Sequence, residues 1–360
     1  MTIAYYIASP TWGGGEQYVF DLARHMKDIY KVHPFFLFPA NSDPAMIARF
    51  SEIGEAAIFP FAGKIWRFTP YAGRQLAKIL DAHNADILHI NSRQTYFIAA
   101  WAKQHAHHRF RLIATQHLAR PAKSGPFWEW IYRHIDVLVC VSRLVRDQYL
   151  KPLEGRAAFP NVQVVYNSVP FHCEEDGIAK SDFSIPQILF HGRICREKGI
   201  VPLFMALEKV ADLPFRITFA GHIEKKDQHI WKELMEKSSV RDKIEYIGFC
   251  NDIHSMAQKF QIGVSPSIIP EAGSLSLLDD MAMGLAIITS SSGSQPEIIR
   301  HEKNGLLCPP DDPDALASAL RRLLTDKTLT QRLGQQALDD FCTQFRYEKF
   351  LQEICDIYFN

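Results

Sequence analysis

The chain has 360 residues, 47% of them apolar and 22% charged, and its formal net charge is zero. That length suits two ordinary domains, each with its own core, and the composition excludes a disordered or fibrous chain. Balanced charge with dispersed basic residues argues against a nucleic-acid-binding protein. The zero hides an asymmetry: residues 1–170 carry 19 Lys+Arg against 12 Asp+Glu, and the remaining 190 carry 21 against 28. Oppositely charged halves fit two lobes that face each other, or a first lobe that meets an acidic partner; uneven solvated surfaces read the same way. MTIAYYIASP has no basic region ahead of an apolar stretch, so it does not read as a signal peptide. No run approaches the roughly 18 apolar residues of a membrane span, and the expected location is cytoplasmic. The seven Cys are scattered without a CxxC pair, which argues against a disulfide framework or zinc ribbon and for core thiols in a reducing compartment.

In chain order, TIAYYIAS, HPFFLFP, AAIFPF, DILHI, RLIATQ, DVLVCVS and VQVVYN read as strands, with helical segments such as EQYVFDLARHMKD and PYAGRQLAKILDAH between them. Strand–helix alternation on this scale predicts an α/β fold with parallel, doubly wound sheets. SVPFHCEEDGIAKSDFSIP, residues 168–186, breaks the pattern with Pro, Gly and mixed charge and reads as an interdomain linker. The alternation resumes with QILFHG, PFRITFAG, KIEYIGF, QIGVSPS and LAIITSS, and RYEKFLQEICDIYF reads as a C-terminal helix. The expected domains are therefore residues 1–168 and 169–340, with 341–360 packing back on the first. Ligands are expected at the carboxyl ends of both sheets.

Four segments carry candidate chemistry. In TWGGGEQYVFDLA, Gly13, Gly14 and Gly15 follow a strand and open a helix, so backbone N–H groups can approach an anion at a helix N-terminus. A nicotinamide site is disfavoured, because Tyr18 stands where a third glycine belongs and no acidic residue ends the second strand; an ordinary tight turn remains open. His117 directly follows a strand, where it is a candidate polar contact or a structural histidine. Arg193 and Lys198 leave the first strand of the second lobe five residues apart, a guanidinium fork and a point cation suited to a diphosphate, or two solvated side chains. In PEAGSLSLLDDMAMG, Ser274 is placed to cap a helix, Glu271 lies just before it and Asp279 a turn inside, bordering a face of Leu275, Leu278 and Ala282. Carboxylates there are costly unless they accept hydrogen bonds, as from sugar or ribose hydroxyls. The alternative is that Glu271 favours the helix dipole while Asp279 and Asp280 are solvated.

The sequence resembles the family-4 (group 1) retaining glycosyltransferases of the GT-B fold. GGGEQ, VSRLV (141–145), VVYNSV (164–169), GRICREKG, GFCNDI (248–253), GVSPS (263–267), the Glu271-x7-Asp279 segment, SGSQPEII (292–299) and NGLLCPPDDPDAL (304–316) occur in the family's order across nearly the whole chain. The resemblance implies two Rossmann-like lobes facing each other across a cleft. It implies transfer of a sugar from a UDP- or GDP-linked donor to a glycan or lipid-linked acceptor, with retention and without metal, in polysaccharide or lipopolysaccharide synthesis. Arg193 and Lys198 would hold the diphosphate and Glu271 the donor sugar. The backbone amides of Ser274 and Leu275 would meet sugar and phosphate. Asp279 would bind ribose in place of the family's Glu, and His117 would reach the sugar near its 6-position. Gly15 would lie by the phosphates, with Gly13, Gly14 and Glu16 on the acceptor side. Gly273 and Ser274 depart from the family's EGFGL-like pattern, as does the shorter Asp279. A nucleotide-sugar epimerase and a non-catalytic nucleotide-sugar binder are the competing readings. KIWRF (64–68), HHRFR (107–111) and RPAKSGPFWEWIYRH (120–134) mix basic and aromatic residues, as a peripheral contact with anionic lipid at the inner membrane face would require; buried aromatics beside solvated bases would look alike.

Overall fold

The computed structural model describes residues 1–61, 68–153, 161–171, 184–250 and 252–360. Two compact units emerge, Met1–Tyr166 with Leu351–Asn360, and Asn167–Phe350. Much of the 168–186 linker segment lies outside the described residues.

The first unit is built on a seven-stranded sheet: β1 (Thr2–Tyr6), β2 (His33–Pro39), β3 (Glu55–Phe59), β4 (Ile87–Ile90), β5 (Arg111–Gln116), β6 (Val137–Cys140) and β7 (Asn161–Val164). Its spatial order is β3-β2-β1-β4-β5-β6-β7, and all pairs are parallel. The runs YY, FFLF, ILHI and VLVC are buried almost throughout, as strands covered on both faces must be. The second unit holds β8 (Gln187–His191), β9 (Arg216–Ala220), β10 (Ile244–Gly248), β11 (Ile262–Ser265), β12 (Ala286–Ser290) and β13 (Leu306–Cys308), in the parallel order β10-β9-β8-β11-β12-β13. In both sheets the winding reverses beside the first strand, between β1 and β4 and between β8 and β11. Crossovers of fixed hand leave a crevice at each reversal, and each unit brings its candidate residues to its own reversal.

The C-terminal segment is not one continuous helix. Phe341–Phe345 forms a π-helical turn, Arg346 is extended (φ −58°, ψ 146°), and Tyr347–Phe359 is α-helical. Its end is tied to the first unit: Tyr358 Oη lies 2.5 Å from His89 Nδ1 of β4, and Arg111 donates to the Tyr358 carbonyl at 3.2 Å. Cys140, Cys195, Cys308 and Cys355 are buried free thiols, as expected of most of the cysteines, and Cys250 is a partly exposed one, whereas Cys342 is disulfide-bonded. Among the described residues no helix is long and apolar enough to cross a membrane.

Candidate active site

At the second reversal, the chain leaving β8 carries Arg193 and Lys198, and the chain leaving β11 carries Ser267 and Glu271. These segments come together: Lys198 Nζ donates to Glu271 Oε1 at 2.7 Å, and the Ser267 hydroxyl donates to the same oxygen. Both partners of the ion pair are largely shielded from solvent. Burial alone would raise the Glu271 carboxyl, but Lys198 together with hydrogen bonds from Ser267 and Ser274 outweighs it, and the group stays below the usual carboxylate range. Glu271 is therefore held as an anion. Its backbone is clamped as well. The Ser294 N–H donates to the Glu271 carbonyl at 2.7 Å. Gly293, at φ +65°, packs so closely that a Cβ would stand 2.3 Å from the Glu271 backbone, so the SGSQPEII segment needs glycine there.

Arg193 goes elsewhere. It is 54% exposed and pairs with Glu224, while Lys226 bridges Glu224 and Glu197. Among the described residues one set of potential metal ligands clusters, Cys195, Glu224 and Asp227. Its carboxylates are already engaged, by Arg193 and by the Arg196 N–H.

Helix Leu275–Ala282 starts where Ser274 caps it, the hydroxyl accepting from Leu277 N at 3.4 Å. The Cβ at this position thus serves a local structural role. Of the expected stripe Leu278 and Ala282 are buried and Leu275 is half-buried, while Leu277, Asp280 and Met281 widen the buried arc. Asp280, expected among solvated groups, is the larger correction. Its side chain is 1% exposed and accepts from His191 Nε2 at 3.1 Å, whereas Asp279 is 18% exposed and accepts from His254 Nε2 at 2.9 Å. Gly263 of β11 makes room for Asp280, since a Cβ there would lie 2.6 Å from the carboxylate. Burial would lower both histidines, but the facing aspartates outweigh it and raise them. His191 and His254 were not singled out from the sequence. His191 stands next to the GRICREKG motif and His254 directly follows GFCNDI, so adjacency to those motifs was the one local signal for either.

The first reversal is different in kind. Gly13 N-caps helix Gly14–Tyr30, so Gly14, Gly15 and Glu16 form its first turn. Asn91 and Ser92 follow β4, and His117 follows β5. His117 Nε2 donates to Asn91 Oδ1 at 3.1 Å, and its ring meets Tyr18 edge-on at 4.8 Å. Behind it, His89 Nε2 lies 2.7 Å from Thr115 Oγ1. Burial pushes His117 down to about 4 and His89, which also faces His117, down to about 3, so both rings are neutral near pH 7. Burial also pushes the Glu16 carboxyl up, against backbone N–H groups and the Ser9 hydroxyl. A cavity of about 380 Å³ opens here, walled by Ser9, Gly15, Glu16, Asn91, Ser92 and Gln94 among others. A larger one of about 640 Å³, lined by Thr2, His33 and His83, lies at the amino ends of β1 and β2, away from the reversal.

Two parallel doubly wound sheets, with an anionic carboxylate clamped by a lysine at one reversal and a neutral histidine at the other, define a twin-Rossmann enzyme of the GT-B class. Residues 12–171 match the glycosyltransferase family 4 pattern and residues 178–340 the glycosyl transferases group 1 pattern; the chain belongs to these glycosyltransferases. It is 26% identical over 79% of its length to the putative glycosyltransferase EpsD of Bacillus subtilis, covering 79% of that protein. It is 23% identical to the N-acetyl-alpha-D-glucosaminyl L-malate synthase of Bacillus anthracis, over 82% of this chain and 81% of that one. The fold is that of a glycosyltransferase from Rickettsia africae (TM-score 0.81, 20% identity, 99% and 97% of the two chains). Anabaena HepE, solved with UDP and glucose, also shares it (TM-score 0.78, 19% identity, 99% of each chain).

Proposed function

We propose that the protein moves a sugar from a UDP- or GDP-linked donor to a hydroxyl of a glycan or lipid-linked acceptor, with retention and without metal, in polysaccharide or lipopolysaccharide synthesis. The observation that carries this is the buried Lys198–Glu271 pair at the second reversal. As the glycosidic bond breaks, the leaving diphosphate gains charge, which Lys198 and an Arg193 released from Glu224 stabilise. Glu271, kept anionic, accepts from donor-sugar hydroxyls, while Asp279 accepts from ribose. The Ser274 and Leu275 amides at the helix start and Gly15 in the first unit serve the phosphates and sugar. His117, neutral and with its Nε2–H committed to Asn91, contributes a lone pair rather than a charge. HepE with UDP and glucose supports the donor class by analogy. The test is nucleoside diphosphate release from a panel of nucleotide sugars, with and without a sugar acceptor and with a chelator. Acceptor-dependent release unaffected by chelator is expected. Conversion of the donor with no acceptor would favour an epimerase, and binding without turnover a carrier.

Membrane contact is a second reading, favoured by Phe68 and Phe127, both exposed with ring centroids 6.2 Å apart, and by Lys123 over the neighbouring Trp128 at 4.8 Å. Phe110 of HHRFR is buried, which removes that cluster, and residues 64–67 of KIWRF lie outside the described residues. Co-sedimentation with vesicles containing 30–40%, roughly, of anionic lipid, lost on Phe127→Ser, is the expected result.

A further inference from the structure

Among the carboxylates gathered at the second reversal, Asp280 is the one the proposed chemistry leaves unused. It is buried in the second turn of the helix Leu275–Ala282, and Gly263 of β11 leaves room for it. His191, the last residue of β8, places its Nε2 3.1 Å from Asp280 Oδ1 and 3.0 Å from the Ser276 carbonyl oxygen. Both partners are acceptors, so Nε2 carries a hydrogen and donates to the two together. Ser276 and Asp280 are four residues apart and share one helix face, a turn from each other. One imidazole thus grips the helix at two levels and fixes its first turn against the carboxyl end of β8. That turn opens with Ser274 and Leu275, whose amides are proposed above to meet the donor's phosphates and sugar.

The pair also settles a charge. Asp280 lies about 9 Å along the axis from Ser274, six residues at about 1.5 Å each. A bare carboxylate at that depth would repel a diphosphate at the helix start, enough to weaken binding about three- to tenfold in a partly screened interior. A protonated His191 cancels it. Burial alone would lower His191, but Asp280 and then Asp279 outweigh it and raise the group. The other titratable group facing His191 is His254, from the turn His254–Lys259, and it pairs with Asp279. Each aspartate of the helix therefore has an imidazole of its own.

We propose that His191 is a positioning residue for donor binding: with Asp280 it pins the first turn of the helix and cancels the carboxylate's charge beneath the diphosphate, so that donor affinity falls when the imidazole loses its proton. The proposal rests on the donor assignment above and adds a pH dependence to it.

Titration calorimetry with UDP-glucose and GDP-mannose, at about pH 6 and about pH 8.5, tests it, because the diphosphate diester of a nucleotide sugar keeps its charge between them. Wild-type protein should bind the better of the two about three- to tenfold more weakly at the higher pH. His191→Gln keeps an N–H for Ser276 and Asp280 but takes no charge, so it should show the weaker affinity at both values. Asp280→Asn keeps an acceptor and removes the charge, and should bind about equally at both. His254→Gln leaves the His191 pair intact and should keep the decline. A pH-independent affinity in wild-type protein, or a decline that persists in His191→Gln or Asp280→Asn, would overturn the proposal. The wild-type and His254→Gln comparisons decide the point even where another variant fails to fold. Neither nucleotide sugar binding to wild-type protein at about pH 6 would sink the donor reading and this inference with it. Binding without the pH effect sinks only the role of His191.

Discussion

The two sheet reversals use the same raw material to opposite ends. Each brings polar side chains to the carboxyl ends of parallel strands, and each includes a pair of shielded histidines. In the second unit His191 and His254 face Asp280 and Asp279 and are raised; in the first, His89 and His117 face neutral groups and fall to about 3 and about 4. Burial acts on all four in the same direction, so the neighbour decides the charge. The second unit's reversal is thus organised around ion pairs. In the first, both histidines sit among uncharged partners.

Breaking an ion pair should cost the most. Asp280→Ala strands His191 beside an apolar face, and the loss in urea denaturation is expected at about 3–5 kcal/mol, the range for one partner removed from a buried pair. Asp279→Ala, at a partly exposed site, should cost well under half of that while weakening nucleotide binding. If the two variants unfold alike, the distinction between the adjacent aspartates is wrong. Lys198→Ala comes next, with turnover of the nucleotide sugar falling by about 10²–10³ as for loss of one group facing developing charge.

In the neutral unit the expected effects are smaller. Tyr358→Phe removes the partner of His89 Nδ1 and should cost about 1–3 kcal/mol, with faster hydrogen exchange in Tyr347–Phe359. Wild-type exchange there would show that the helix is held by its apolar packing alone. The pH response is subtler and has opposite signs. His89 and His117 have depressed values, so their contribution is complete above about 6.5 and is lost as the pH falls from there towards about 4 and 3. His191 and His254 have raised values, so theirs is complete below about 6.5 and is lost as the pH rises through the folded values. Hydrogen exchange at pH 5 and pH 8 should therefore show the first unit loosening on the acid side and the second on the alkaline side. A parallel change in both units would remove the electrostatic contrast.

Much of this architecture is written locally. FFLF, ILHI and AIITS are short apolar runs between helical segments, and their period alone places both sheets. β13 was not, because Leu306–Cys308 is a three-residue strand inside a turn-rich motif. Glu271, Lys198 and Ser274 were legible because each sits at a strand end or helix start. Asp280 was misread because the helix is buried over a wide arc, and the room for its carboxylate comes from Gly263 and its partner is His191, both distant in sequence. His254 and Asn91 owe their importance to partners about 25 residues away, and no local pattern records such pairings.

The contrast between the two reversals predicts where a donor binds. Hydrogen exchange with and without the nucleotide sugar that most stabilises the protein tests this directly. Protection is expected in residues 191–200 and 265–282, and it should vanish in Lys198→Ala. Protection confined to residues 7–17 and 91–94, or undiminished in the variant, would contradict the assignment of the donor to the charged site.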